Sequence, residues 1–348
     1  MVEQLTNQEW REFFLDELGV IKSGKDINQN DMIKGDVPYI SATSFNNGIN
    51  NFIDNNNNTL ESDCISINRT GSVGYAFYHP YSALFSNNCR KFLLNENKDK
   101  HISLFIVNQI KQQKEKYSYG YIMGTERIKR QKIMLPITKE GEPDYKFMSQ
   151  FMKNIEKQQI EKYKRYIDQR KSQLKYKEIE SLNNKEWGEF YIKDLFNILP
   201  GKRLTKNNMI EGETPFIGST SLNNGITNYV SNENESLDCN VLGVNYNGSV
   251  VENFYHPYHC IFSDDVKRFH LKEYEDNKHI LLFFKSIILQ QKVKYMYGYK
   301  FNSERMNEQV ILVPINEFKM PDYEYMEQYM INLEIKLLTK YLDFLAVK

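Results

Sequence analysis

Residues 77–92 read FYHPYSALFSNNCRKF, and residues 254–269 read FYHPYHCIFSDDVKRF. The offset of 177 between them also takes Trp10 to Trp187 and NNGI at 46–49 to a second NNGI. After one inserted residue the offset becomes 178 and continues to the Pro-Asp-Tyr triplets that begin at 143 and 321. One register held over this distance indicates a duplicated domain rather than a solenoid of short repeats.

Each copy predicts the same order of elements. In the first copy, VPYISATSF at 37–45 is a β-rich run closed by a turn. CISINRTGSVGYAFY at 64–78 predicts a strand, a glycine-containing turn and a second strand. HISLFIVNQIKQQKEKY at 101–117 has helical spacing, and KIMLPI at 132–137 returns to a short apolar run.

A long helix is predicted after each copy, over residues 143–182 and 321–348. Proline suits the first turn of a helix, and Asp144 and Asp322 suit its N-terminal end. The simplest partner for the apolar stripe on each helix is the other helix, in an antiparallel coiled-coil pair. These stripes are also the predicted partner-binding surface, made of Met148, Met152, Ile155, Met326, Met330, Leu333 and Leu337.

The predicted fold class is therefore α+β. Two globular domains, 1–142 and 183–320, each combine a mixed β-sheet with helices, and a pseudo-twofold axis relates them. The two long helices separate the domains. A helix of about 30 residues spans ~45 Å, somewhat more than the ~34–36 Å of one DNA turn.

Composition limits the classes of function. The chain has 348 residues, with 45 Lys and Arg against 45 Asp and Glu, so no global charge draws it to a polyanion. A local basic face is still possible. No apolar run approaches the ~20 residues of a membrane span, and the N-terminus does not read as a signal peptide. The expected location is the cytoplasm, without membrane contact.

No metal site is predicted. Cys64, Cys89, Cys239 and Cys260 do not align with one another between the copies, whereas a zinc or disulfide site of the duplicated unit would be present twice. They are interpreted as buried, small apolar side chains. The duplicated histidines, such as His79, lack a second ligand nearby and are interpreted as structural.

The strings YISATSFNNGI at 39–49, NRTGSVGYAFYHP at 68–80 and LPITKEGEPDYKFM at 135–148, in this domain–helix order, resemble specificity (S) subunits of bacterial restriction–modification systems. The resemblance extends to type I enzymes and to the related two-subunit type IIB enzymes. It implies two target recognition domains, each reading half of a bipartite, asymmetric double-stranded DNA site. It also implies helices that set the gap and dock the partner subunits.

The resemblance places catalysis on those partners. They would be N6-adenine methyltransferase subunits, alone or fused to a nuclease, and would carry S-adenosylmethionine and Mg²⁺. This chain would carry no cofactor and would not be an enzyme. In agreement, its sequence has no [DNS]PP[YF] tetrapeptide and no phosphate-binding loop.

Two alternatives stay open from the sequence. One is a protein-binding scaffold or decoy subunit without DNA selectivity of its own, which the zero net charge favours slightly. The other is a stand-alone nuclease, since Pro-Asp pairs and the Glu-x-Lys triplets at 317–319 and 334–336 resemble a nuclease signature. Helix capping explains the Pro-Asp pairs better.

The duplication also predicts the DNA-binding residues, because two such domains should agree where they contact phosphates and differ where they read bases. The shared polar positions are Lys25, Ser72, Tyr119, Tyr121, Arg127, Lys202, Ser249, Tyr297, Tyr299 and Arg305. The differing positions are Asp26, Arg69, Thr70, Lys129, Arg130, Arg203, Tyr246, Asn247 and Lys300. Glycines beside the shared positions are expected to let the backbone approach a phosphate.

Overall fold

A computed structural model describes residues 5–95, 99–118, 120–296 and 298–346. The chain forms two compact units, Met1–Tyr163 and Lys164–Lys348. The boundary between the units falls within a long helix, so the domain limits at 142, 182 and 320 stay a prediction. Within the described residues, no helix is long and apolar enough to cross a membrane.

The first unit contains three small sheets and four helices among its described residues. Its strands are β1 (Trp10–Phe14), β2 (Gly19–Ser23), β3 (Lys34–Ile40), β4 (Ile49–Ile53), β5 (Cys64–Asn68), β6 (Ala76–His79), β7 (Leu84–Phe85), β8 (Cys89–Leu94) and β9 (Lys132–Pro136). Its helices are α1 (Leu15–Leu18), α2 (Lys100–Lys111), α3 (Thr125–Lys129) and the first part of α4 (Tyr145–Gln173).

The central sheet of the first unit is antiparallel, in the order β2-β8-β5-β6. A second sheet has the order β4-β3-β7, and β1 pairs with β9. Helix α2 covers the central sheet because its apolar residues recur at helical spacing and Ile102, Phe105 and Ile106 are buried. Asp99 begins this helix by accepting a hydrogen bond from the His101 amide at 2.6 Å.

The second unit repeats this arrangement. Its strands are β10 (Trp187–Tyr191), β11 (Phe196–Pro200), β12 (Glu211–Ile217), β13 (Ile226–Val230), β14 (Val241–Asn245), β15 (Asn253–His256), β16 (Ile261–Phe262), β17 (Val266–Leu271) and β18 (Val310–Pro314). Its helices are α5 (Ile192–Leu195), α6 (Lys278–Gln290), α7 (Ser303–Glu308) and α8 (Tyr323–Ala346). The central sheet has the order β11-β17-β14-β15.

The turns predicted from NNG are confirmed in both units. Asn47 has φ 55° and Gly48 has φ 79°, and Asn224 and Gly225 have φ 53° and 81°. Asparagine and glycine are the residues that tolerate this left-handed region best, which explains why the string is the same in both copies. The strands and the α2 helix predicted around these turns are also confirmed.

The capping interpretation of the Pro-Asp pairs is confirmed as well. Asp144 Oδ1 accepts from the Phe147 amide at 2.9 Å, and Asp322 Oδ1 accepts from the Tyr325 amide at 3.0 Å. The predicted extent of the first long helix was too great, because α4 ends at Gln173 rather than 182. Beyond it, backbone groups of Lys175 and Lys177 bond to side chains of α8 instead of continuing the helix.

The apolar stripes are used differently from the prediction. Met148 and Met326 are fully buried in the cores of their own units, so neither side chain can face a partner. Met152, Ile155 and Met330 pack against the same cores, and Leu333 is partly buried, whereas Leu337 is 58% exposed. The coiled coil between the two helices stays a prediction.

Three of the four cysteines are buried as expected, but Cys239 is partly exposed. No group of three potential metal ligands occurs among the described residues. His79 and His256 are fully buried, and burial lowers the pKa of each to about 4. Both imidazoles are therefore neutral at physiological pH.

Candidate nucleic-acid interface

The loops at one end of the central sheet bring together the sequence positions that differ most between the units. In the first unit Ser23 pairs with Arg90 and Asn68 pairs with Cys89, so β2 and β5 end where β8 begins. The loops that follow Ser23 and Asn68 and the loop that precedes Cys89 therefore lie side by side. We call this set the loop cluster; it comprises residues 24–26, 69–72 and 86–88, and 201–203, 246–249 and 263–265 in the second unit.

Short hydrogen bonds fix the first loop cluster. Asp26 Oδ1 accepts from the Asn87 amide at 2.8 Å, and the Arg69 amide donates to Asn88 O at 2.9 Å. Thr70 Oγ1 donates to Asn88 Oδ1 at 3.0 Å. The backbone of each loop is thus held by its neighbours, which leaves the outer side chains preorganised for a ligand.

Two guanidinium groups give the first loop cluster a positive character. Arg90 is 4% exposed and donates to Thr125 Oγ1 and Asn87 O, both at 2.7 Å. Burial lowers its pKa, and the charge of Arg69 lowers it further. The Nε of Arg69 is buried and has no acceptor among the residues that the structure describes.

The second loop cluster has the same backbone but different charges. Asp264 and Asp265 replace the two asparagines; Asp264 lies 3.7 Å from Arg203 Nη1, and Asp265 Oδ1 accepts from Asn247 Nδ2 at 3.0 Å. Lys267 replaces Arg90 and lies 5.0 Å above the Tyr246 ring. Burial and the nearby Asp265 raise the pKa of Tyr246, so its hydroxyl keeps its proton and can donate.

A stacked tyrosine–arginine arrangement borders the loop cluster in both units. Tyr117 and Tyr121 stack at 5.8 Å, and Arg127 Cζ lies 4.0 Å from the Tyr121 centroid. In the second unit Tyr295 and Tyr299 stack at 5.6 Å, and Arg305 Cζ lies 3.9 Å from the Tyr299 centroid.

The outer tyrosine of each stack, Tyr121 or Tyr299, contacts both a second tyrosine ring and an arginine and is still about half exposed. Each arginine is also held by a backbone carbonyl, Ile122 O at 2.7 Å and Lys300 O at 2.8 Å. The arrangement is rigid and common to both units, which suits contact with a repeating backbone better than base reading.

The glycines beside the predicted phosphate-contacting residues have a different role from the one expected. A Cβ on Gly24 would lie 2.0 Å from Ser86 O, and one on Gly201 would lie 2.0 Å from Ser263 O. Gly71 has φ 60° and packs on Ala42 O. These three glycines allow close packing within their own units rather than the approach of a phosphate, whereas Gly120 has open space around it.

Comparison with known proteins gives the family. Residues 7–165 and 184–340 both match the model of the type I restriction modification DNA specificity domain. The chain belongs to this family. It is also 42% identical over 332 residues to S.BcgI, the specificity subunit of the type II restriction enzyme BgcI from Heyndrickxia coagulans. That alignment covers 93% of this chain and 94% of the relative.

Solved structures of specificity subunits are less similar to this chain. The S subunit of a type I system from M. genitalium is 15% identical, with a TM-score of 0.49 and coverage of 98% of this chain and 93% of that chain. The HsdS subunit from Thermoanaerobacter tengcongensis is 10% identical, with a TM-score of 0.33 and coverage of 95% and 91%. The chain is thus a specificity subunit of a restriction–modification system on the evidence of its sequence relatives.

For this specificity subunit, many of the predicted DNA-binding residues lie in or beside the loop clusters. Tyr119 and Tyr297 lie outside the described residues. The members of the loop clusters are Lys25, Asp26, Arg69, Thr70, Ser72, Lys202, Arg203, Tyr246, Asn247 and Ser249. Tyr121, Arg127, Tyr299, Lys300 and Arg305 belong to the bordering stack or its carbonyl support.

Three of the predicted DNA-binding residues are hydrogen-bonded or ion-paired within their own units. Lys129 Nζ contacts Glu126 at 2.8 Å and Arg130 Nε donates to Glu126 O, so both side chains support α3. Lys202 and its counterpart Lys25 are both exposed, and Lys202 is paired with Glu235 at 2.7 Å.

Comparison of the two copies within the sequence did not predict the residues that link the loops. Asn87 and Asn88 and the second-unit residues Asp264, Asp265 and Lys267 contact predicted DNA-binding residues, and Arg90 bonds to Asn87. The signal was present, since SNNCRKF changes to SDDVKRF while the flanking residues agree. Only the strand register shows that Asn87 and Asn88 lie beside Asp26 and residues 69–70.

Proposed function

We propose that each unit reads one half of a bipartite, asymmetric DNA site and that the chain directs methyltransferase subunits to it. The observation that carries this proposal is the loop cluster: one backbone arrangement holds Arg69 beside Asn87 and Asn88 in the first unit, and Tyr246 beside Asp264 and Asp265 in the second. A shared scaffold with different polar groups is what two readers of different sequences require.

Base reading in the first unit would centre on Arg69, whose guanidinium suits the O6 and N7 atoms of guanine. In the second unit Arg203 is the equivalent candidate because it is 77% exposed, while Asp264 offers an acceptor for a cytosine amino group. The stacked tyrosines and arginines would contact phosphates in both half-sites.

A relative that matches nearly the whole chain supports one type of system. Because S.BcgI belongs to a type II enzyme and matches nearly the whole chain, we propose a two-subunit type II system. Its partner would be a methyltransferase, fused to a nuclease. S-adenosylmethionine and Mg²⁺ would bind that partner, which would also perform catalysis.

Exchange of the loop cluster tests this proposal. In one variant, Asp26, Arg69, Thr70, Asn87 and Asn88 receive the residues of their counterparts, Arg, Tyr, Asn, Asp and Asp. Methylome sequencing of cells that carry the partner subunit should then show a changed base in one half of the methylated motif only. A control variant with Lys139→Ala and Glu140→Ala, in an exposed turn, should keep the original motif.

An unchanged motif in the exchanged variant would contradict base reading by this cluster. Changes in both halves at once would contradict independent reading by the two units. A chain that supports methylation equally at random sequences would favour the alternative of a scaffold without DNA selectivity.

A further inference from the structure

A pocket in the second unit is lined by three lysines and, among the described residues, by no carboxylate. Its volume is about 370 Å³, and its wall combines residues of α5, β11, β17 and α7 with Lys272. The apolar part of the wall comes from β11. The polar side chains that line it are Lys193, Asn197, Lys267, Lys272, Ser303 and Asn307. A concave surface lined by one sign of charge favours a ligand of the opposite sign.

Most of the polar groups in this pocket have no partner within the part of the chain that the structure describes. Five of the six side chains make no hydrogen bond or ion pair there. The sixth, Lys193, has its Nζ 2.8 Å from Glu308 Oε1. Two ammonium groups, one hydroxyl and two carboxamides therefore remain available to a ligand.

Lys267 is the least solvated of the available cations. It is partly buried, and burial lowers its pKa, although the charges of Asp264 and Asp265 oppose that shift. Its ammonium has lost water without a described carboxylate at ion-pair distance, and a bound anion would offset that loss. Lys272 and Ser303 are exposed, so a ligand can enter the pocket from solvent.

The first unit uses the corresponding positions for a bond of its own. Arg90 stands at the position of Lys267, and Thr125 stands at the position of Ser303. Arg90 Nε donates to Thr125 Oγ1 at 2.7 Å, so the cation and the hydroxyl satisfy each other. Their counterparts in the second unit do not bond to each other, and both line the pocket.

The other two lysines have no cationic counterpart in the first unit. Asp16 stands at the position of Lys193, and Asn95 stands at the position of Lys272. Asn95 Nδ2 donates to Glu17 O at 3.4 Å. A pocket for an anion is therefore expected in the second unit alone.

The pocket borders the loop cluster of the second unit. Lys267 Nζ lies 5.0 Å from the centroid of the Tyr246 ring, which belongs to that cluster. Pro200, in the wall of the pocket, directly precedes residues 201–203 of the same cluster. A duplex whose bases meet the loop cluster would therefore bring its sugar–phosphate backbone to the edge of the pocket.

We propose that this pocket binds one phosphate group of the DNA backbone beside the second half-site, through the side chains of Asn197, Lys267, Lys272, Ser303 and Asn307. The choice of DNA as the source of the phosphate rests on the proposed function, whereas the anion chemistry of the pocket does not. Phosphate contacts position a protein on the duplex without reading its sequence. The second unit would thus have an anchor on its half-site that the first unit lacks.

Uncharged backbone groups test this contact in the complex of the full chain with its methyltransferase subunit. A set of duplexes carries the methylated site with a neutral methylphosphonate at one backbone position at a time. Substitution at one position beside the second half-site should weaken binding by about tenfold, because a charge-assisted contact is lost.

The double variant Lys267→Ala/Lys272→Ala should bind the unmodified duplex about tenfold more weakly or worse. Methylphosphonate at the sensitive position should then cause no further loss. The slope of log Kd against log salt concentration should also fall by about 1 to 2, since fewer counterions are released. Full sensitivity to methylphosphonate in the double variant would overturn the phosphate contact.

Two further variants separate the pocket from the general charge of the surface. Lys139→Ala/Lys175→Ala removes two exposed lysines that do not line the pocket, and it should keep the methylphosphonate sensitivity. Lys267→Arg/Ser303→Thr keeps the net charge but installs the pair of the first unit, whose side chains should bond to each other and fill the pocket. The sensitivity should then be lost. Retained sensitivity would assign the contact to surface charge and overturn the pocket as its site.

Inorganic phosphate distinguishes a DNA phosphate from a free one. In phosphorus NMR, the line of inorganic phosphate should broaden with the unsubstituted complex, less so with Lys267→Ala/Lys272→Ala, and should sharpen again when the duplex is added. Broadening that the duplex does not reverse, without any methylphosphonate effect, would assign the pocket to a free anion and overturn DNA as its ligand. Equal broadening by both proteins would overturn the anion site. Half-site selectivity, measured with changed bases in the same binding assay, tests base reading separately and can fail while the phosphate contact stands.

Discussion

The two central sheets each bury a cation at the same place, but they surround it differently. In the first unit Lys91 is 2% exposed, bonds to Thr59 O at 2.9 Å and lies 3.5 Å from Glu61. In the second unit Arg268 is 7% exposed and bonds to Asp238 at 2.8 Å. A change at one position is thus matched by a change at its neighbour.

The loop clusters follow the same rule. In the first unit Asp26 accepts a hydrogen bond from the Asn87 amide. In the second unit Arg203 stands at the position of Asp26 and lies near Asp264, which stands at the position of Asn87. The acidic side chain is therefore on the other member of the pair. Where two contacting positions have changed together, a residue of one unit does not fit the contacts of the other unit. Single substitutions that break one set should therefore have different costs in the two units.

The largest effect is expected from the buried ion pair. Asp238→Ala should lower the free energy of unfolding of the second unit by about 3 kcal/mol, because it leaves a buried guanidinium without its carboxylate. Glu61→Ala should cost the first unit only about 1 kcal/mol, since Glu61 is more exposed and lies 3.5 Å from Lys91, whereas Asp238 also bonds to His270. Hydrogen exchange in β14 and β5 measures the two units separately. Equal losses would contradict the difference between the sheets.

The next effect concerns DNA. Arg69→Ala should lower the affinity of the complex for its site by about thirtyfold, which corresponds to about 2 kcal/mol for one bidentate base contact. The loss should disappear on a duplex with a changed first half-site. Tyr246→Ala should affect only the other half-site. A uniform loss on all duplexes would instead assign Arg69 to phosphate contact.

A smaller effect is expected from a hydrogen bond that the buried His79 makes and its counterpart His256 lacks. Ser66 Oγ lies 2.8 Å from His79 Nε2, whereas the counterpart of Ser66 is Gly243 and His256 Nε2 has no partner among the described residues. Ser66→Ala should lower the stability of the first unit by about 1 kcal/mol, because it leaves a buried imidazole nitrogen unsatisfied. Exchange protection of β5 reports the change, and unchanged protection would indicate that the hydrogen bond contributes nothing.

Sequence reasoning predicted the duplication because the repeat is visible in the sequence itself, and it predicted the turns and the helix caps because each depends on residues close in sequence. Asn47 and Gly48 require their conformation locally, and so does Asp144. The links between Asn87 and Asp26, or Asn88 and Thr70, depend on strand register, which periodicity alone does not give. The end of α4 was missed because its continuation bonds to side chains of α8, more than 150 positions away.

An alkaline pH dependence is expected in the second unit only. His270 stands where the first unit has Leu93. Its Nε2 lies 2.9 Å from Asp238 Oδ2 and its Nδ1 lies 2.7 Å from Asp276 Oδ2. The hydrogen bond with Asp238, and then that with Asp276, raise the pKa of His270 to about 9 although burial opposes the shift.

The direction of this effect follows from proton linkage. The folded pKa lies above the unfolded value of about 6.5, so the folded state holds the proton more tightly. The contribution of His270 to stability is therefore complete below about pH 6.5 and is lost as the pH rises through 9. In His270→Leu this alkaline loss should vanish, so the difference in unfolding free energy between the two proteins should shrink from pH 7 to pH 10. If the unfolding free energies of the two proteins ran parallel with pH, the two carboxylates would not hold the proton of His270. As a control, hydrogen exchange in the first unit should be the same in both proteins.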